Sequence, residues 1–143
     1  MAAIIIISAL PLERTDVGKL RPVETVMMYK NGQNIVIETD TDDIGIGIDV
    51  ASAFENLKAS APAIIYLDTA NFLLVSENVT DQVEQLRQVL KHNVEIYQFE
   101  GEVNPRMASE FLSVHGGGMK LKHWKQGAQL LTVEARNDRL ILS

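Results

Sequence analysis

The residues of this chain that can do chemistry are few and thinly spread. Asp40, Asp42 and Asp43 stand together ahead of Gly45, like the first half of a calcium-binding loop. A complete loop begun at Asp40 needs a bidentate acid at its twelfth position, and that position is Ala51. The run therefore reads as a solvated polar linker. Asp68 and Asn71 add two polar turn residues at a strand end. No two of the three histidines, His92, His115 and His123, are four residues apart, so no metal pair forms on one helix face. Ser109 and Ser113 lie near His115, but no nucleophile elbow of the G-x-S-x-G type accompanies them. Gly116-Gly117-Gly118 follows a helix instead of opening one, which is the wrong order for a phosphate loop. Gly45 and Gly47 do lead into a helix at Asp49, but Asp42, Asp43 and Asp49 would repel a phosphate there. No catalytic residue, cofactor or metal is assigned from these patterns. The enzymatic alternative is a small-ligand-binding domain or hydrolase that folds Asp42, Asp43, Asp68 and a histidine into one pocket.

Composition narrows the partners. The net charge is -6 and the pI near 5.0, which argues against nucleic acid and anionic lipid. The one local basic cluster is Lys120, Lys122, His123 and Lys125 around Trp124, the only tryptophan. Lys120, Lys122, Trp124 and Lys125 are the candidate interaction surface, since tryptophan is an interface-prone residue. A tryptophan among lysines also suits stacking on single-stranded nucleic acid. The competing readings are a strand with Leu121 inward and Lys120 and Lys122 outward and, for Trp124, a core or half-buried tryptophan. There is no cysteine, which removes disulfides, thiol catalysis, cysteine-ligated zinc and anchoring through a lipidated cysteine.

The elements that would position these residues are clearer. A chain of 143 residues suits one domain with a core that needs no staples. Ala2 to Leu10 is apolar except for Ser8. It is too short to span a bilayer, which takes about 20 apolar residues. It reads either as a buried first strand, favoured by its β-branched residues, or as the end of a membrane anchor lying upstream of Pro11. A connector runs to Leu20. Val23 to Tyr29 and Ile35 to Thr39 read as strands, and Asn31-Gly32 between them predicts a type I′ hairpin. In Ile44-Gly45-Ile46-Gly47-Ile48 the alternate glycines weaken any regular strand.

Asp49 is an N-cap candidate for a helix whose stripe is Val50, Ala53, Phe54, Leu57 and Ala61, ended by Pro62. Ala63 to Leu67 and Phe72 to Ser76 read as two strands split by turn-forming residues. Asn78 is expected to cap a second helix with the stripe Val79, Val83, Leu86 and Leu90, on the same side of the sheet as the first. Val94 to Phe99 is a strand, and Asn104-Pro105 opens a third helix that ends at the glycine triplet. Met119 to Trp124, Leu130 to Ala135 and Arg139 to Leu142 are expected strands, the last two joined by a turn at Asn137-Asp138. The expected order is ββ-α-ββ-α-β-α-βββ. The expected class is α+β: one domain over 1–143 with a mixed, mostly antiparallel sheet. Residues 1–20 form an apolar segment and connector, and 119–143 a C-terminal β segment.

The middle of the chain also resembles a known arrangement. Asp43-Ile44-Gly45, Ala53-Phe54-Glu55-Asn56-Leu57, Ala61-Pro62, Ile65-Tyr66-Leu67 and Phe72-Leu73-Leu74-Val75 resemble the N-terminal domain of the Ger(x)C family, the C subunits of spore germinant receptors. The wider string from Ala9-Leu10-Pro11 through Asp68-Thr69-Ala70 is similar to small uncharacterised clostridial proteins. The resemblance implies a non-enzymatic, extracytoplasmic, membrane-proximal domain serving sporulation or germination in a spore-forming member of the Firmicutes. Most members of that family carry a lipidated cysteine, so with no cysteine here that anchor does not carry over. The expected function is a non-catalytic binding or assembly module that contacts a protein partner or a second copy and no nucleic acid. A cytoplasmic location is the alternative.

Overall fold

The computed structural model describes residues 20–143. The expectations for Ala2 to Leu10 and most of the connector lie outside them. Ten strands are described, β1 (Leu20–Pro22), β2 (Thr25–Asn31), β3 (Asn34–Thr39), β4 (Ile44–Gly47), β5 (Ile64–Tyr66), β6 (Phe72–Val75), β7 (Glu95–Glu100), β8 (Met119–Lys120), β9 (Thr132–Arg136) and β10 (Arg139–Leu142). The helices are α1 (Val50–Ser60), α2 (Val83–Leu86) and α3 (Pro105–His115). The class is α+β, with one mixed sheet in the order β10-β9-β7-β6-β2-β3-β4 and β8 paired to β7. A parallel pair, β1 with β5, stands apart from it.

The centre of the main sheet is parallel, since β2 pairs with β6, β6 with β7 and β7 with β9 in that sense. Parallel strands covered on both faces read as continuous apolar runs, and all four residues of β6 are buried. Leu73 and Val75 enter one core with Phe54 and Leu57 of α1 and Val83 and Leu86 of α2. Phe72 and Leu74 enter the other, with Ala108 and Leu112 of α3. The first two helices thus share one face and α3 covers the other. The two strands β5 and β6 are not partners of each other. The connection between them, closed by Ala70 N donating to Leu67 O, steps the chain from the small sheet into the large one.

Local chemistry explains the element ends. Asp49 caps α1 in a capping box: Ser52 N donates to Asp49 Oδ1 at 2.8 Å, and Asp49 N to Ser52 Oγ at 3.2 Å. Asn104 caps α3 through the amides of Arg106 and Met107. Asn137 and Asp138 both have positive φ, as a type I′ turn requires. In the β2–β3 hairpin only Gly32 does. Asn31 pairs with Asn34, so Gly32 is the first of two loop residues. That places it in a II′ pattern, not the expected I′.

Two expected elements change form. The second helix is a 3₁₀ segment, Glu77–Gln82, followed by the single turn α2. Asn78 lies inside that segment and accepts a hydrogen bond from Ser76 instead of capping a helix. Val79, Val83, Leu86 and Leu90 remain buried. Polar residues that bond locally, such as Thr80 to Glu77 O, compete with the α-helical ladder here. The strand expected over Met119 to Trp124 stops after Lys120 and becomes a 3₁₀ turn, Leu121–His123. Its three-residue period puts Leu121 and Trp124 on one side, and both enter the core with α1 and α2. A strand would have sent them to opposite faces.

Candidate functional site

The structure separates Trp124 from the lysines around it. Lys122 and Lys125 are exposed, and Lys120 is half-buried beside Glu95, with Nζ 3.6 Å from a carboxylate oxygen. Trp124 is only 3% exposed. Its outer ring face is covered by the Arg87 guanidinium, 5.6 Å from the ring centre. That guanidinium also donates to the carbonyls of Leu121, at 3.0 Å, and Trp124. Arg87 Nε lies 3.0 Å from Glu84 Oε2 but is not aligned to hydrogen-bond it. With both its faces engaged the indole neither stacks on bases nor anchors a partner. The expectation for Trp124 is corrected to a core residue.

The acidic run is a structured turn instead of a solvated linker. Asp40 Oδ1 accepts from the amides of Glu24 and Thr25 at 2.9 and 3.0 Å, fixing the start of β2. Asp43 is buried, ion-paired with Arg21 at 3.1 Å and hydrogen-bonded by Thr41 at 2.7 Å. Asp42, with positive φ, pairs with Arg106 of α3. Neither Asp42 nor Asp43 has a histidine among its partners, and Asp68 lies on the exposed β5–β6 connection. Ser109 is buried against Thr25, its hydroxyl bonded to that of Thr25 and not to His115. Among the described residues no three His, Asp or Glu side chains converge as metal ligands.

The glycine triplet does cradle an anion, and it is the protein's own. Glu95 Oε1 accepts from Tyr97 Oη at 2.5 Å, Gly117 N at 3.0 Å and Gly118 N at 3.4 Å. Burial pushes the Glu95 carboxyl up. The Tyr97 hydroxyl, the two glycine amides and the Lys120 ammonium outweigh burial and hold it below the usual carboxylate range. Tyr97 is pushed up to about 12 by burial and by its bond to Glu95. This cluster ties β7 to the end of α3.

The surface with unspent binding capacity lies on the α3 face of β2, β3 and β4. In β4 the usual alternation is inverted. Gly45 and Gly47 face α1, where a Cβ on Gly45 would lie 2.6 Å from Leu57 Cβ and one on Gly47 2.7 Å from Ser52 C. Ile44 and Ile46 face outward, 49% and 48% exposed, and Ile48, just past the end of the strand, is 80% exposed. The edge of β4 is closed by α1: Ile46 N donates to Asn56 Oδ1 at 2.8 Å, and Ser60 Oγ donates to Ile44 O. Register extends this row into the sheet, since Ile44 lies opposite Glu38 and Glu38 opposite Met27, while Ile46 lies opposite Val36 and Val36 opposite Tyr29.

Beyond Met27 and Tyr29 the sheet opens into a cavity of about 390 Å³, walled by Phe99 of β7 and by Glu102 and Val103 of the β7–α3 connection. Tyr29 donates to Glu38, and its ring meets Phe99 edge-on with centroids 6.3 Å apart. Burial, the bond to Glu38 and that carboxylate's charge push Tyr29 up to about 12, so the phenol stays protonated. Reasoning from sequence missed this face. Its one local signal was the Ile-Gly-Ile-Gly-Ile alternation, read as a weakness in the strand. Neither a protein-family model, nor a curated protein, nor a solved structure matches the chain.

Proposed function

We propose that the chain is a non-catalytic binding module that assembles through the outer face of β4. The observation that carries this reading is the exposure of Ile44 and Ile46 on a strand whose inward positions are glycines, with Ile48 exposed directly after it. Outward positions of an edge strand are normally polar or charged, and a row of exposed β-branched residues gains most by being covered. Because Asn56 and Ser60 occupy the edge, a partner lies on the face and does not extend the sheet. The row is uncharged and apolar, so a second copy related by a twofold axis covers it with its own row.

Sedimentation of the full chain from about 10 µM to 1 mM tests this. The expected result is a dimer that Ile46→Asp disrupts, with no change in melting temperature when both proteins are diluted to monomers. A monomer throughout, with or without the substitution, overturns it. A membrane-proximal, extracytoplasmic setting in a spore former is proposed on the resemblance of Asp43-Ile44-Gly45 and Ala53 to Leu57 to the Ger(x)C domain. Among the described residues no helix is long and apolar enough to cross a membrane. Recovery of the native protein only in the soluble cytoplasmic fraction of its host would remove that setting.

A further inference from the structure

The cavity beside the isoleucine row carries chemistry that assembly does not need. It opens where three parallel strands finish: Tyr29 near the end of β2, Ser76 directly after β6, and Phe99 and Gly101 at the end of β7. Crevices outside the carboxyl ends of parallel strands are where such sheets take ligands, because the connecting loops diverge there. Its volume, about 390 Å³, falls in the range of small-molecule sites. Met27, Phe99 and Val103 are each buried and give it an apolar wall. The charges at its rim are Glu38, Glu102 and Lys30, two carboxylates against one ammonium.

Glu38 is the group poised to receive a ligand. Tyr29 engages Oε2, and among the described residues Oε1 has no hydrogen-bond partner. Two carboxylate oxygens accept about four hydrogen bonds, so most of that capacity is open. Glu102 has no ion pair among the described residues. The phenol of Tyr29 cannot supply a countercharge, since it is neutral and already donating. A cation placed on Glu38 therefore meets net negative charge beside an apolar wall that includes the aromatic ring of Phe99. The net charge of -6 draws cations toward the chain as a whole.

We propose that this cavity binds an organic cation, an amidinium, guanidinium or ammonium group on a flat apolar body, with the body against Phe99 and Met27 and the charge on Glu38. The proposal does not depend on self-assembly through β4.

The test is a titration of the isotope-labelled full chain followed by amide chemical shifts, with benzamidine as the probe and benzoate and benzyl alcohol as controls of like shape. Benzamidine should give saturable shifts at Tyr29, Glu38 and Phe99, with a Kd about tenfold below that of benzyl alcohol, as one added charged contact provides. Glu38→Gln should erase that tenfold advantage. Glu102→Gln, at an exposed site that should not affect folding, should reduce it about threefold. Ile46→Asp, which disrupts the proposed dimer, should leave benzamidine binding intact, so failure of the two readings is separable. N-acetylarginine amide distinguishes the source: binding as tight as benzamidine points to a side chain of a partner, weaker binding to a free small molecule. The proposal is overturned if neither cation gives saturable shifts, if benzoate binds as well as benzamidine, or if Glu38→Gln binds benzamidine as tightly as the parent.

Discussion

Gly45→Ala tests whether α1 is seated directly on β4, the contact that fixes the isoleucine row in place. An ideal Cβ at Gly45 would lie 2.6 Å from Leu57 Cβ and 2.7 Å from Leu57 N, and closer still to the Ala53 carbonyl oxygen. Unstrained carbon contacts fall at about 3.5–4.0 Å, so the helix must lift by roughly 1 Å. Two of the three obstacles are backbone atoms and the third is a Cβ, so no change of rotamer relieves the overlap. Overpacking of this kind costs about 1–3 kcal/mol, and a rigid obstacle places it near the upper end. Alanine also narrows the unfolded ensemble, which returns about 0.4–1 kcal/mol. The net loss is about 2 kcal/mol, or about 8 °C in melting temperature at roughly 4 °C per kcal/mol for a chain of this size.

The assay is urea unfolding followed by circular dichroism, with a lower midpoint and an unchanged slope expected. Ile46→Ala, on the outward side of the same strand, should shift stability by no more than about 0.5 kcal/mol. Leu57→Ala in the Gly45→Ala background should give no rescue, because it removes neither the Cβ nor the amide that obstructs. If Gly45→Ala is as stable as the parent, α1 does not rest on the β4 backbone, and the glycines owe their place to something else.

Glu95→Gln should destabilise the fold by about 1 kcal/mol near neutral pH, since the carboxylate bonded to Tyr97 and two glycine amides is replaced by a neutral acceptor. Its folded pKa is lowered. The stabilisation is therefore fully present above the unfolded value and is lost as pH falls through the folded one, so the gap between parent and variant should close in acid; a gap that widens in acid would contradict the assignment. Tyr97, raised to about 12, contributes with the opposite sense, fully below about pH 10 and less as pH climbs toward 12, which alkaline unfolding of Tyr97→Phe against the parent measures. Thr25→Val leaves the Ser109 hydroxyl buried without its partner and should cost about 1–3 kcal/mol; adding Ser109→Ala should recover most of it, and additive losses in the double-mutant cycle would refute the pairing.

What could be read from the residues was whatever depends on near neighbours. Asp49 and Asn104 cap helices because their side chains reach amides two and three residues on. Asn137-Asp138 turns the chain because both accept positive φ. The stripes Val50 to Leu57 and Val79 to Leu90 are buried as their spacing requires. Pairing was not legible in the same way. Alternation tells which face a residue takes, not which strand lies beside it, so β5 and β6 look like neighbours yet join different sheets. Trp124 was offered as a surface residue because its type is common at interfaces, whereas a turn with a period of three sets it beside Leu121 in the core. The cavity was invisible for a stronger reason. Met27, Glu38, Phe99 and Glu102 come from three strands and a connection, and no spacing along the chain records their convergence.

The inverted alternation of β4 links fold to function. A strand that leaves Ile44 and Ile46 about half exposed forgoes roughly half of the 1.5–3 kcal/mol that full burial of each isoleucine brings, and two glycines in a strand cost about 0.5–1 kcal/mol each. Exchanging the two sets, isoleucine inward and glycine outward, is barred because α1 lies too close for any side chain at 45 or 47. The fold could still have placed polar residues outward at no cost to that contact. That it carries Ile44 and Ile46 there, in register with Glu38 and Val36 and so with Met27 and Tyr29, makes the row continuous with the cavity wall. A ligand on Glu38 and a partner on Ile44 then meet across one cross-strand pair, a spacing of about 5 Å.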